Sequence, residues 1–232
     1  MSPVRSVVEL SCSTYLGHRW AQGWLIGYDT SMPFLIEDGF LPATLTASPM
    51  TDQQFTEFCA EHPDLWFETT AAGEIIVMPP NFSKTGARNL EICLQVGSWA
   101  RQDGRGVAND SSTGYVLPSG ARRSPDASWT PREEIAKLST ESLEGYWHLC
   151  PAFVIELRSH SDRLPALQAK MQEYMVNGAR LGWLIDPETR KVEVYRPDRE
   201  PEERAGLDSI AGEGPVDGFV LDLRRVWDPL AR

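Results

Sequence analysis

The stretch "PAFVIELRSHSD", residues 151–162, opens as an apolar strand and closes in a cluster of charge. Residues 151–155 would bury comfortably, yet Glu156 follows directly and Arg158 stands two places on. A carboxylate at the end of a buried strand loses hydration, so it requires a cation or a set of hydrogen bonds. The question the stretch raises is what Glu156 is for.

Downstream, the pattern predicts a helix from about Pro165 to Asn177, closed by Gly178. "LGWLIDP" and "KVEVYRP" then read as a hairpin around "ETR". Residues 197–217 are polar and rich in Pro, Gly and acids, and read as a long surface loop. "GFVLDLRRVWD" ends the chain as a strand or a strand–helix edge.

Upstream, "TDQQFTEFCAEH" offers Thr51 as an N-cap with Gln54 three residues later, and Phe55, Phe58 and Cys59 on one helical face. "LWFETTAAGEIIVMPP" reads as a hairpin turning at Gly73. "ARNLEICLQVGSWARQ" is a helix expected to bury Leu90, Cys93, Leu94 and the Val96/Gly97 step. "TGYVLPSGARRSPDASWT" gives two short strands around a turn at residues 118–120, and Thr130 is expected to cap a helix with Pro131 at its first position. Residues 1–45 carry no steady periodicity, only scattered aromatics (Tyr15, Trp20, Trp24, Tyr28 and Phe34). The expected organisation is an N-terminal extension, 1–45, followed by one domain, 46–232, of α/β or α+β class with a mixed sheet flanked by helices.

The bulk properties narrow the setting. At 41% hydrophobic and 24% charged, the chain has the balance of a soluble globular protein. No apolar run approaches the roughly 18–20 residues that span a bilayer, and the N-terminus lacks the pattern of a secretory signal. Cys12, Cys59, Cys93 and Cys150 are widely spaced with no CxxC pair, which reads as reduced structural thiols in a cytoplasmic protein. The net charge of −11 supplies no long-range attraction for nucleic acid, so any such partner must be held by a local basic groove.

Two strand-borne acids stand out, Asp126 in "RRSPDASW" and Glu156 in "VIELR". If their segments are neighbouring strands, the carboxylates meet at one edge. Hard divalent ions take oxygen ligands of this kind together with water and substrate phosphate. Glu91, on the helix "NLEICLQ", borders its apolar face between Ala87 and Leu94. Lys170, in "LQAKMQEY", sits between Leu167 and Tyr174 at the rim of another, and Arg122, Arg123 and Arg158 add local positive charge. Asp126 could instead serve a turn after Pro125, and Glu156 with Arg158 a structural ion pair. "RSHSD" reads as a strand-to-helix turn, His18, His62 and His148 lack ligand spacing, and "GEGPVDG" lacks the strand and helix of a phosphate loop.

At this point the chain resembles the Uma-two family of restriction endonucleases within the PD-(D/E)XK nuclease superfamily. The resemblance runs from about Thr51 to Trp227, carried by "GEIIVMPP", "RNLEICLQVGSWAR", "DSSTGYVLPSGARRSPDASW", "FVIELRSHSD", "KMQEYMVNGARLGWLIDP" and "VEVYRP". It implies a restriction-endonuclease-like core, Asp126 and Glu156 as metal ligands completed by Glu91, and hydrolysis of DNA phosphodiesters with Mg²⁺ or Mn²⁺. Cutting both strands of a duplex implies a homodimer. The chain departs from the pattern where the lysine should stand, since Glu156-Leu157-Arg158 ends in arginine. Arginine stabilises a phosphoryl transition state but does not deprotonate water. Lys170, arriving from the next helix, is the expected substitute, with Arg158 beside it. A binding or assembly protein on a nuclease fold is the rival reading, and a glycosidase with a carboxylate pair has no sugar platform to support it.

Overall fold

The molecule, a computed structural model, describes residues 7–10, 34–37, 43–45, 47, 49–78 and 82–231. Tyr15, Trp20, Trp24, Tyr28, Cys12 and His18 lie outside them. The chain divides into two compact units, residues 1–80 and 81–232.

In the first unit, β1 (Val7–Leu10) pairs antiparallel with β2 (Phe34–Glu37). β3 (Ala43–Leu45) is followed by α1 (Asp52–Glu61), β4 (Trp66–Thr69) and β5 (Ile75–Met78), with β5 antiparallel to both β3 and β4. The predicted capping box is present: Gln54 N–H donates to Thr51 Oγ1 at 3.2 Å, and Thr51 N–H to Gln54 Oε1 at 2.9 Å. Phe58 of α1 packs with Ile75 and Val77. The β4–β5 turn runs through Gly73 at φ +87°, where a side chain would also press on Pro49.

The second unit is built on a six-stranded mixed sheet. Its elements are α2 (Ser83–Asp103), β6 (Gly106–Asp110), β7 (Tyr115–Val116), β8 (Arg122–Arg123), β9 (Ala127–Pro131), α3 (Arg132–Ile135), α4 (Thr140–Glu144) and β10 (Phe153–Leu157). They continue with α5 (Leu164–Val176), β11 (Leu181–Asp186), β12 (Lys191–Tyr195), β13 (Glu202–Ala205), β14 (Ser209–Ala211), β15 (Val220–Asp222) and α6 (Arg224–Trp227). The sheet order is β13-β12-β11-β10-β9-β6. β10 and β11 are parallel, joined by the α5 crossover, and the other pairings are antiparallel.

Every residue of β10 and β11 is buried, because helices cover both faces of the sheet centre. On one face Ile92, Val96 and Ala100 of α2 pack on Phe153, Ile155, Trp183 and Ile185. On the other, Met171, Tyr174 and Met175 of α5 pack on Val154 and Leu184. Each such apolar side chain contributes about 1.5–3 kcal/mol by leaving water. Gly182 is required for this closeness, since a Cβ there would stand 2.5 Å from Met171 Cε.

Three expectations are corrected, and one segment without an expectation gains a structure. Leu90 and Leu94 of α2 are 61% and 55% exposed, and the buried stripe is Thr85, Asn89, Ile92, Val96 and Ala100. Residues 106–110, unassigned from sequence, form edge strand β6, held by pairing to β9. β9 runs on to Pro131, so Pro131 and not Thr130 occupies the N-cap of α3. The polar segment 197–217 contains β13, which extends the sheet beside β12, and β14, which pairs with β15.

Candidate active site

Asp126 and Glu156 are brought to one end of the sheet by the register of β9 and β10. The last ladder pair is Ile155 with Ala127, so one step further Glu156 stands opposite Asp126. The two acids are treated differently by their surroundings. Asp126 Oδ2 accepts the Leu157 N–H at 2.7 Å, replacing the backbone acceptor that β9 no longer provides past Ala127. Its carbonyl accepts from Cys93 Sγ at 3.4 Å.

Glu156 points to the α5 face. Its Oε1 accepts from Lys170 Nζ at 2.9 Å and from the Tyr174 hydroxyl at 2.9 Å. The Glu156 side chain is 5% exposed and that of Lys170 12%, so the pair is shielded from water. At that depth mutual neutralisation and the tyrosine hydrogen bond offset the desolvation of both charges. Lys170 and Tyr174 are one helical turn apart, which puts both donors on the same oxygen. Glu173, between them on α5, pairs with Arg123 Nε at 2.5 Å.

Arg158 goes elsewhere. One register step beyond Leu157 and Ile185 it faces Asp186, whose Oδ2 accepts from Arg158 Nη1 at 2.8 Å. Burial works to raise the Asp186 carboxyl, but the Arg158 hydrogen bond, the Thr189 and Glu188 contacts and the Arg158 charge prevail, and its pKa falls below the usual aspartate value. Past Arg158 the "RSHSD" segment is a turn, with Ser159 N–H donating to Asp162 Oδ2 at 2.7 Å.

Glu91 does not join the pair. It rises from α2, on the opposite face of the sheet from α5, where its Oε1 accepts from Gln95 Nε2 at 2.9 Å and its Oε2 lies 3.9 Å from Arg225 Nη1. Gln95 also donates to the Asp222 carbonyl and accepts the Asp222 N–H, tying this corner to β15. Among the described residues no three His, Cys, Asp or Glu side chains gather as a metal cage. Two hard carboxylate donors at a strand end still suit a small divalent cation, which commonly takes one or two carboxylates and fills its shell with water and phosphate oxygens.

Sequence reading did not single out Tyr174 or Asp186 as part of this site. Tyr174 was legible only as the apolar i+4 neighbour of Lys170. Asp186 becomes visible once β10 and β11 are known to be parallel and in register. Among the described residues Cys59, Cys93 and Cys150 form no disulfide. No helix among the described residues is long and apolar enough to cross a membrane.

A family described as "Uma2: Putative restriction endonuclease" matches residues 52–224. Among solved structures the chain is similar to one described as a putative nuclease belonging to DUF820 from Anabaena variabilis. The two are 21% identical over 79% of this chain and 100% of that one, with a TM-score of 0.64. At that identity the likeness establishes a shared fold. A comparison with curated proteins gives no match.

Proposed function

The chain belongs to the Uma2 family of restriction-endonuclease-type proteins, and from that premise we propose that it is a metal-dependent endonuclease hydrolysing DNA phosphodiester bonds, with Asp126 and Glu156 as its metal ligands. The observation that carries the proposal is the placement of Lys170 on Glu156, 2.9 Å from its Oε1, beside the strand end that also bears Asp126. That arrangement supplies from α5 the cation that the strand itself lacks, since Arg158 is engaged by Asp186.

In this reading Asp126 and Glu156 hold Mg²⁺ or Mn²⁺, which when bound supplies Lewis acidity toward the phosphoryl oxygens. Tyr174 orients the Glu156 carboxylate through its hydrogen bond. Lys170 keeps that carboxylate compensated in the absence of the ion, and its ammonium is placed to offset negative charge developing on a phosphoryl group bound at this edge. Arg158, paired with Asp186, anchors the strand end and leaves the role of catalytic cation to Lys170. Glu91, on the far face, is outside the ligand set.

A non-catalytic binding protein on the same fold is the second reading, favoured by the closure of Glu156 by two donors and by the net charge of −11. Cleavage of supercoiled plasmid with Mg²⁺ or Mn²⁺, beside Glu156→Gln and a chelator control, separates the two. Metal-dependent nicking that disappears in the variant supports the nuclease. A folded wild-type protein that nicks with neither metal leaves the binding reading.

A further inference from the structure

The chain passes from β12 to β13 through "RPDREP", residues 196–201. Pro197 fixes its own φ, and Asp198 takes φ +56°, a left-handed conformation uncommon outside glycine. A tight turn of this kind returns Arg199 to the side of Arg196. The β11–β12 ladder ends at Gly182 with Tyr195, so two register steps further on Arg180 stands opposite Pro197. Arg180, Arg196, Pro197, Arg199, Glu202 and Glu213 line a solvent-open depression of about 430 Å³.

Its charges are unequally committed. Arg196 is clamped, with Nε and Nη2 donating to the Glu213 carboxylate and Nη1 lying 3.1 Å from Glu202 Oε2. Arg204 grips the same Glu202, Nε to Oε1 at 2.8 Å and Nη2 to Oε2 at 3.1 Å. Two arginines thus cancel two glutamates and tie β12, β13 and Glu213 into a preformed wall. Arg199 is exposed and makes no hydrogen bond or ion pair with any described residue. The Arg180 guanidinium, also exposed, has a loose contact at 3.7 Å, from Nη2 to Glu134 Oε1. One free and one loosely held cation therefore border the depression, in a chain whose net charge is −11.

We propose that this depression binds the phosphate group of a small molecule, a phosphomonoester or free phosphate, between Arg180 and Arg199. A phosphate dianion matches two guanidinium forks in charge and offers an oxygen edge to each, whereas a carboxylate brings one edge and one charge. The volume lies in the range of small-molecule sites, about 300–1,000 Å³. Pro197 is the apolar part of a lining otherwise made of charged residues, so charge and not apolar burial holds the ligand. The site is separate from the strand end that bears Asp126 and Glu156. It lies at the Gly182 end of β11, four residues or about 14 Å of strand from Asp186 at the other end. Duplex DNA is a poor occupant, since its phosphates require a row of cations.

The proposal is independent of nuclease activity. Its test is titration calorimetry of the full chain with inorganic phosphate and with adenosine monophosphate at constant ionic strength. Arg180→Ala, Arg199→Ala and the distant Arg101→Ala are run beside it, with circular dichroism to verify folding. The expected result is one saturable site that weakens about tenfold or more in each of the first two variants and is unchanged in the third. Tighter binding of adenosine monophosphate assigns the site to a phosphomonoester, and equal binding assigns it to free phosphate. Absence of saturable binding of either probe by the wild-type chain overturns the proposal, whatever the variants do. Equal weakening in Arg101→Ala overturns it as well, as does a short DNA duplex that binds through Arg180 and Arg199 when neither probe does.

Discussion

Lys170 and Glu156, separated by a turn and the first half of α5, meet 2.9 Å apart at the buried end of β10. Removing either partner leaves the other charge shielded and uncompensated, at a cost of about 3–5 kcal/mol. Lys170→Met should therefore lower the urea midpoint substantially, and Glu156→Gln added to it should restore much of the loss. Plasmid nicking should stay absent in both, which separates stability from chemistry.

Tyr174→Phe removes one donor from Glu156 Oε1 and leaves the ring packed on Val154 and Leu184. A hydrogen bond to a charged acceptor is worth about 1.5–3 kcal/mol. Urea unfolding should show a loss of that size with an unchanged slope. A change below a few tenths would mean that the hydroxyl does not hold the carboxylate.

Asp126→Ala and Asp126→Asn should differ in stability but not in activity. The alanine variant strands the Leu157 N–H, a penalty of about 1–3 kcal/mol, whereas asparagine retains an acceptor. Hydrogen exchange at the Leu157 amide should quicken in the first and stay slow in the second. Nicking should vanish in both.

Asp186 has a depressed pKa in the folded state, so its ion pair stabilises the protein above the ordinary aspartate pKa. That contribution is lost as pH falls through the lower folded value. Thermal unfolding of Asp186→Asn should accordingly lie below wild type at neutral pH, and the gap should close in strong acid. A gap that does not vary with pH would show that the carboxylate's charge contributes nothing.

The Cys93 thiol is pushed up to about 12 by burial and by the nearby Asp110 and Asp126 carboxylates, and burial raises Cys150 to about 12 as well. Neither forms thiolate near pH 8. Peptide mapping after iodoacetamide treatment should find both unmodified in native protein and alkylated after denaturation.

What was legible in sequence depended on contacts made locally. The Thr51 capping box, the Gly73 turn, the β11–β12 hairpin and β10, apolar but for Glu156, were readable because each is decided by neighbours a few residues away. α2 was misread for a related reason. Leu90 and Leu94 outweigh Thr85 and Asn89 in apolarity, so composition favoured the face that the fold turns outward. β6 was missed because "GVAND" has little strand character until β9 pairs with it.

Local sequence suffices to put two acids, Asp126 and Glu156, on strand-like segments and a lysine-bearing helix after them. Which cation serves which acid depends on the packed fold. A register of one residue sends Arg158 to Asp186, and the crossover through α5 brings Lys170 onto Glu156. It likewise left Glu91 on the other side of the sheet. Sheet register and helix packing are set by burial summed over the whole unit, which no short stretch of sequence contains.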